Sequence, residues 1–166
     1  MHDWNEVHTH RQLIDEYLES GGTAMSPAFH EAFPTEDDLV RELHQRWVHL
    51  LDGCLETELE TGDGSPTDAL CDAYVTAARH APDLRRVLAT FADSRVLAGL
   101  TDHHNAQLAH AIGALRPSHS IQEGIDEVRH LMETLAVPAQ REPSRLERWR
   151  RDREVSRLIT ASLRGY

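Results

Sequence analysis

Lysine is absent from this chain of 166 residues, so all 17 of its basic residues are arginine. Aromatic residues are also scarce, because Phe, Trp and Tyr make up only 5% of the sequence. Strands favour aromatic and β-branched residues, whereas the many Ala, Leu, Arg and Glu residues here have high helix propensity. The composition therefore argues against a sandwich or barrel and favours an all-α protein. The lack of lysine also indicates a GC-rich genome, which we expect to be bacterial.

The chain has only two cysteines and no long apolar run. Cys54 and Cys71 lie seventeen positions apart without a partner motif, which argues against a disulfide framework and a four-ligand zinc site. No eighteen apolar residues follow one another, and no basic flank precedes an apolar stretch near residue 1. We therefore expect a cytoplasmic protein with reduced thiols and no membrane contact.

Acidic and basic residues are unevenly distributed along the chain, whose net charge is −11. Residues 1–140 contain 24 acidic residues and nine arginines, whereas the remainder contains four acidic residues and eight arginines. Phosphate binding requires clustered basic residues, so the acidic body should repel DNA. The sequence thus divides into an acidic body, residues 1–140, and a basic C-terminal helix, residues 144–164.

Apolar residues recur at helical spacing between Ser, Thr or Asp caps and Gly or Pro stops. This pattern predicts helices over about 4–20, 35–60, 65–80, 82–91, 94–115, 120–136 and 144–163, with a short turn of helix after Ser26. Strand-like alternation and internal repeats are missing. The sequence therefore predicts an all-α, single-domain bundle of six to seven helices with no sheet.

Histidines raise the question of a metal site, because LTDHHNAQLAHAIG, residues 100–113, contains three of the twelve. Helical geometry places His104 on the apolar stripe, and His103 and His110 at its edge or in solvent. The latter two lie about 10 Å apart along the axis, too far to share one metal ion. His44 also points inward, within the apolar arc of the long helix.

Two interpretations of the inward histidines remain open. They either bond a backbone carbonyl or a buried water, or they line an internal ligand pocket made of His44, Trp47, Tyr74 and His104. A metal-binding alternative depends on the single Glu-x-x-His unit at Glu127 and His130, which di-iron bundles use twice. Its helical face looks solvated, so we assign no metal ligand.

Enzymatic signatures are missing in the forms that a sequence can reveal. There is no G-x-S-x-G, Walker loop, H-E-x-x-H or G-x-G-x-x-G. We assign no catalytic residue and no cofactor, and a non-enzymatic role is favoured while an enzyme remains open.

The basic helix has an arginine-rich half around Trp149 and an apolar half that includes Leu158. Its arginines either pair with the acidic body, contact nucleic acid or bind an acidic protein. We favour pairing with the acidic body, and the interleaved acidic residues make nucleic acid the least favoured of the three. If the helix instead contacts a partner protein, we assign Arg148, Trp149, Arg151 and Leu158 to that contact.

Residues 13–47, with Gly22, Phe29, Phe33, Thr35 and Leu39 near the matching places, resemble the end of a TetR-type DNA-binding domain. Residues 68–91 resemble the start of the ligand-binding half of that family. The chain has Glu36 where the family has lysine, and residues 1–40 contain nine acids and only Arg11 as a basic residue. The resemblance thus implies a ligand-sensing or dimerising helical body that has lost DNA binding.

Three functions follow from these patterns. The first is a non-enzymatic regulatory protein that acts through protein contacts, as a homodimer formed by its later helices. The second is a small-molecule sensor related to the ligand-binding half of TetR-type regulators. The third is a histidine and carboxylate metal-binding protein.

Overall fold

The computed structural model describes residues 4–62, 64–115 and 120–135, with side chains from residue 9 onward. Its described part is an all-α bundle, as the sequence predicts, and lies within a compact unit that runs from Met1 to Ala136. The basic helix expected at residues 144–164 falls outside the described residues, as do its Arg148, Trp149, Arg151 and Leu158. No helix among the described residues is both long and apolar enough to cross a membrane.

Seven helices make up the described part. They are α1 (Trp4–Glu19), α2 (Pro27–Ala32), α3 (Glu36–Thr61), α4 (Pro66–His80), α5 (Pro82–Thr90), α6 (Arg95–Ala111) and α7 (Ile121–Leu135). Helix α3 is the longest, at about 39 Å, and packs against α4, α5 and α6. Helix α7 packs on α6 and α4, and α1 contacts α2 and α5. The bundle is therefore built around α3.

Local sequence signals set most of the helix starts. Ser26, Thr35 and Ser94 accept a hydrogen bond from the backbone N–H three residues ahead, which satisfies a donor that the first turn leaves unpaired. Ser65 and Asp68 form a reciprocal capping box at the start of α4. After the C-terminal end of α1, Gly21 and Gly22 have φ angles of 72° and 89°, a left-handed conformation that favours glycine.

Replacing Ser65 with Ala removes the capping box of α4. We expect the free energy of unfolding to fall by about 1 kcal/mol, measured by urea denaturation. Thr67→Ala is the matched control, because Thr67 is exposed in the same turn and makes no capping bond. An equal loss in both variants would contradict this role of Ser65.

The apolar core runs through all seven helices. Its fully buried side chains of largest volume are Ile14, Val40, Leu43, Leu51, Leu70, Val87 and Val128. Helix α7 approaches α6 closely at Gly124, where a Cβ would lie 3.2 Å from that of Ala109. Burial of apolar surface stabilises a protein by about 25 cal/mol per Å², and it is the main force that holds such a bundle together.

Two local expectations were wrong. Helix α6 ends at Ala111 rather than near Leu115, because Gly113 adopts a φ of 71° and turns the chain. The helical spacing of Ile121, Ile125, Val128 and Met132 predicts that all four point inward, but Ile121 is 65% exposed. It is the first residue of α7 and precedes Gly124, where α7 comes close to α6.

Candidate ligand-binding cavity

A cavity of about 550 Å³ lies among helices α3 to α7. Helix α3 contributes His44, Trp47 and Leu51 to its wall, and α4 contributes Tyr74. The rest of the wall consists of Arg85, Leu88, Ala89, Ala92, Leu97, Ala98, Thr101, Asp102, His104, Asn105, Leu108, Arg129, Met132 and Glu133. Its volume falls within the range of about 300 to 1,000 Å³ that is usual for small-molecule sites.

The four residues expected to form an internal pocket, His44, Trp47, Tyr74 and His104, all line this one cavity. They come from three helices, α3, α4 and α6, and span sixty positions of the chain, so helix packing brings them together. Whether they bind a ligand stays a prediction. The other seven histidines with described side chains are solvent-exposed: His10, His30, His49, His80, His103, His110 and His130.

His104 is 5% exposed, and its Nε2 lies 2.9 Å from Oδ1 of Asp52 on α3. A partner was expected for this ring, although a backbone carbonyl or a water was the expected type. The half-exposed carboxylate of Asp52, which follows the buried Leu51 on α3, takes that place. Because Asp52 holds Nε2, the orientation of the imidazole in the cavity wall is fixed.

His44 is 7% exposed and makes no hydrogen bond to any described residue. Its ring meets that of His104 edge to face, with a centroid distance of 6.2 Å. Burial, with a smaller contribution from the positive charge of His104, lowers the pKa of His44 to about 4. At neutral pH the ring is therefore uncharged and offers one donor and one acceptor.

Asn105, 6% exposed, is the third buried polar side chain of the described residues, and it also lacks a hydrogen-bond partner among them. No buried side-chain nitrogen or oxygen in the described part is sealed away from solvent without a partner. The polar atoms of Asn105 and His44 therefore retain some accessible surface, and both residues line the cavity.

Arg85 of α5 closes one side of the cavity over two aromatic rings. Its guanidinium carbon lies 4.8 Å from the ring centroid of Trp47 and 5.2 Å from that of Tyr74, which is cation–π geometry. Its Nη2 donates to the Tyr74 hydroxyl at 2.6 Å. The two rings themselves meet edge to face at 5.7 Å.

An ion pair between α6 and α7 also lies in the cavity wall. Nη2 of Arg129 on α7 donates to Oδ1 of Asp102 on α6 at 2.6 Å, and this bond raises the pKa of Arg129. Arg129 also pairs with Asp126 one turn back. The charge of Arg129 is thus neutralised by its neighbours.

Sequence reasoning missed Arg85 and Asn105. Asn105 lies about 80° from Leu97 on the helical wheel, at the edge of the apolar stripe of α6, so its position could have indicated partial burial. Arg85 lies about 100° from Leu84 and Arg86 about 200°, so the wheel places Arg85 nearer the apolar stripe of α5. Its contacts with Trp47 and Tyr74 depend on the packing of α5 against α3 and α4.

The metal-binding alternative finds no cluster to support it within the described part of the chain. Glu127 and His130 are both exposed on α7. No group of three or more His, Cys, Asp or Glu side chains there is placed to hold a metal ion.

No family model, curated protein or solved structure matches this chain. The resemblance to TetR-type regulators therefore stays a prediction, and the function must be argued from the geometry of the cavity.

Proposed function

We propose that this protein is a small-molecule-binding protein whose ligand occupies the cavity formed by helices α3 to α7. One observation carries the proposal. All three buried polar side chains of the described residues, His44, His104 and Asn105, line this cavity, and two of them have no hydrogen-bond partner there.

Energetics support a ligand at this place. Burying a polar group without a hydrogen bond costs about 1 to 3 kcal/mol in proteins. His44 and Asn105 line the cavity among buried apolar residues such as Leu51 and Leu108, and their unbonded polar atoms retain accessible surface. A ligand that displaces water from these atoms would incur that cost unless it supplies hydrogen bonds of its own, so the two residues select a ligand with matching polar groups. Polar groups set in an apolar wall are the usual means by which a site orients its ligand.

Regulation through protein contacts is compatible with a ligand-binding body. That interpretation depends on Arg148, Trp149, Arg151 and Leu158, which lie outside the described residues, and it stays a prediction together with the homodimer. Ligand binding is the function that the described residues support best. We place the protein in the cytoplasm and assign it no catalytic role.

Filling the cavity tests the proposal. Ala98 lines the cavity from α6, so Ala98→Phe should occupy space that the ligand needs. Ala28→Phe is the matched control, because Ala28 is exposed on α2 and does not line the cavity. Both variants and the unmodified chain are incubated with the small-molecule fraction of the cells that produce the protein, desalted and analysed by native mass spectrometry.

We expect a non-covalent adduct on the unmodified chain and on Ala28→Phe, and loss of that adduct from Ala98→Phe. Circular dichroism verifies that all three proteins are folded. An adduct that survives in Ala98→Phe, or no adduct on any of the proteins, would contradict the proposed function.

A further inference from the structure

The charge of Arg85 is not paired with any carboxylate that the structure describes in the cavity wall. Arg85 is half-buried, yet no carboxylate among the described residues pairs with it. A guanidinium has five N–H donors, and among the described residues Arg85 forms one side-chain hydrogen bond, to Tyr74. Trp47 and Tyr74 hold its plane in place, so its remaining donors are pre-organised for another acceptor.

Four charged side chains line the cavity: Arg85, Asp102, Arg129 and Glu133. Asp102 and Arg129 pair with each other at 2.6 Å. Glu133 has no ion-pair partner among the described residues, but it is exposed, so water hydrates its carboxylate. The partly desolvated, unpaired charge of this wall is therefore positive.

The remaining polar groups of the wall also supply donors. The Asn105 amide has two N–H donors, and the neutral His44 ring has one. Around them the wall is mostly apolar, with Leu51, Leu88 and Leu108 all buried. The wall therefore combines the Arg85 guanidinium and several hydrogen-bond donors with a largely apolar surface.

We propose that the ligand is a monocarboxylate with an apolar body, whose carboxylate pairs with Arg85 and whose body lies against the leucines of the wall. This inference rests on the proposed ligand-binding function and specifies its ligand class. Arg is well suited to the role, because its fork matches a carboxylate and forms two parallel hydrogen bonds.

Three probes of equal chain length test the charge preference: octanoate, octan-1-ol and octylamine. Isothermal titration of the full chain at pH 7.5 measures their Kd values. A hydrogen bond to a charged group contributes about 1.5 to 3 kcal/mol, so octanoate should bind at least about tenfold more tightly than octan-1-ol. Octylamine should bind more weakly than either.

Removal of the guanidinium should abolish that preference. In Arg85→Met we expect octanoate to lose about tenfold or more in affinity, with octan-1-ol within about twofold of its original Kd. Arg86→Met is the matched control, because Arg86 is the next residue of α5, is exposed and pairs with Asp83. It should leave both affinities unchanged. Arg85→Gln, which keeps a donor for Tyr74, replaces the Met variant if that one does not fold.

Several results would overturn the inference. They are equal or tighter binding of octan-1-ol, tighter binding of octylamine, no binding of octanoate, or an octanoate affinity that Arg85→Met and Arg85→Gln leave intact. Binding of octan-1-ol or octylamine that Ala98→Phe abolishes would still support the cavity as a ligand site. In that case the carboxylate preference fails while the proposed function stands.

Discussion

Replacing Trp47 with Ala should lower the free energy of unfolding by about 3 kcal/mol or more. Truncation of a buried Trp to Ala typically costs about 3 to 5 kcal/mol, because transfer energy and dispersion contacts are both lost. Trp47 is 6% exposed on the central helix α3, and it contacts the Tyr74 ring and the Arg85 guanidinium. Urea denaturation monitored by circular dichroism at 222 nm measures the change.

Two variants separate the causes of that loss. Trp47→Phe keeps an aromatic face for Arg85 and fills more of the space, so it should cost less than half as much. Tyr74→Phe keeps the ring and removes only the hydroxyl that accepts from Arg85, so about 1 kcal/mol is expected. If Trp47→Ala costs less than about 1 kcal/mol, Trp47 does not hold α3, α4 and α5 together.

Helix bounds are the part of this fold that local sequence predicts best. The cap of α4 depends on Ser65, Pro66 and Asp68, all within four residues, and the same holds for Thr35 at the start of α3. Such signals act within one turn and need no knowledge of the neighbouring helices. The end of α6 was misjudged because the apolar spacing continues to Leu115 after Gly113 has turned the chain.

The side of each helix that is buried in the core was predicted less well. The spacing of Leu97, Leu100, Leu108 and Ala111 predicts a single inward stripe on α6, but Leu100 is half-buried and Ala111 is exposed. Asn105 and Ala109 are buried instead, so the inward face is rotated by about 50°. Hydrophobicity alone could not predict this, since α6 must contact α3 on one side and α7 on the other.

Contacts between distant segments were beyond the reach of the sequence. The pairing of His104 with Asp52 spans 52 positions, and that of Arg129 with Asp102 spans 27. Each depends on which helices become neighbours and at what height. The inward phase of His44 and His104 could be predicted, whereas their common cavity and its unpaired arginine required the packed structure.

Acid should destabilise this protein partly through His44. Its pKa is about 4 in the folded chain, against an ordinary value of 6.5, so the unfolded chain binds a proton more readily between these values. Stability is therefore unaffected by His44 above pH 6.5 and is lost as the pH falls from 6.5 towards 4. Between pH 7.5 and pH 4.5 the loss attributable to His44 is about 2 to 3 kcal/mol.

Comparison with His44→Gln isolates this loss. Carboxylates also titrate in acid, and the lowered pKa of Asp68 contributes in the same direction, but they do so equally in both proteins. The free energy of unfolding is measured by urea titration at pH 7.5 and at pH 4.5. Its fall between the two should be about 2 to 3 kcal/mol smaller in His44→Gln than in the unmodified chain. His49→Gln, an exposed histidine of the same helix, should retain the full loss. Equal pH dependence in all three proteins would show that His44 is not held neutral by burial, because a solvated imidazole would take up its proton in the folded chain at no cost.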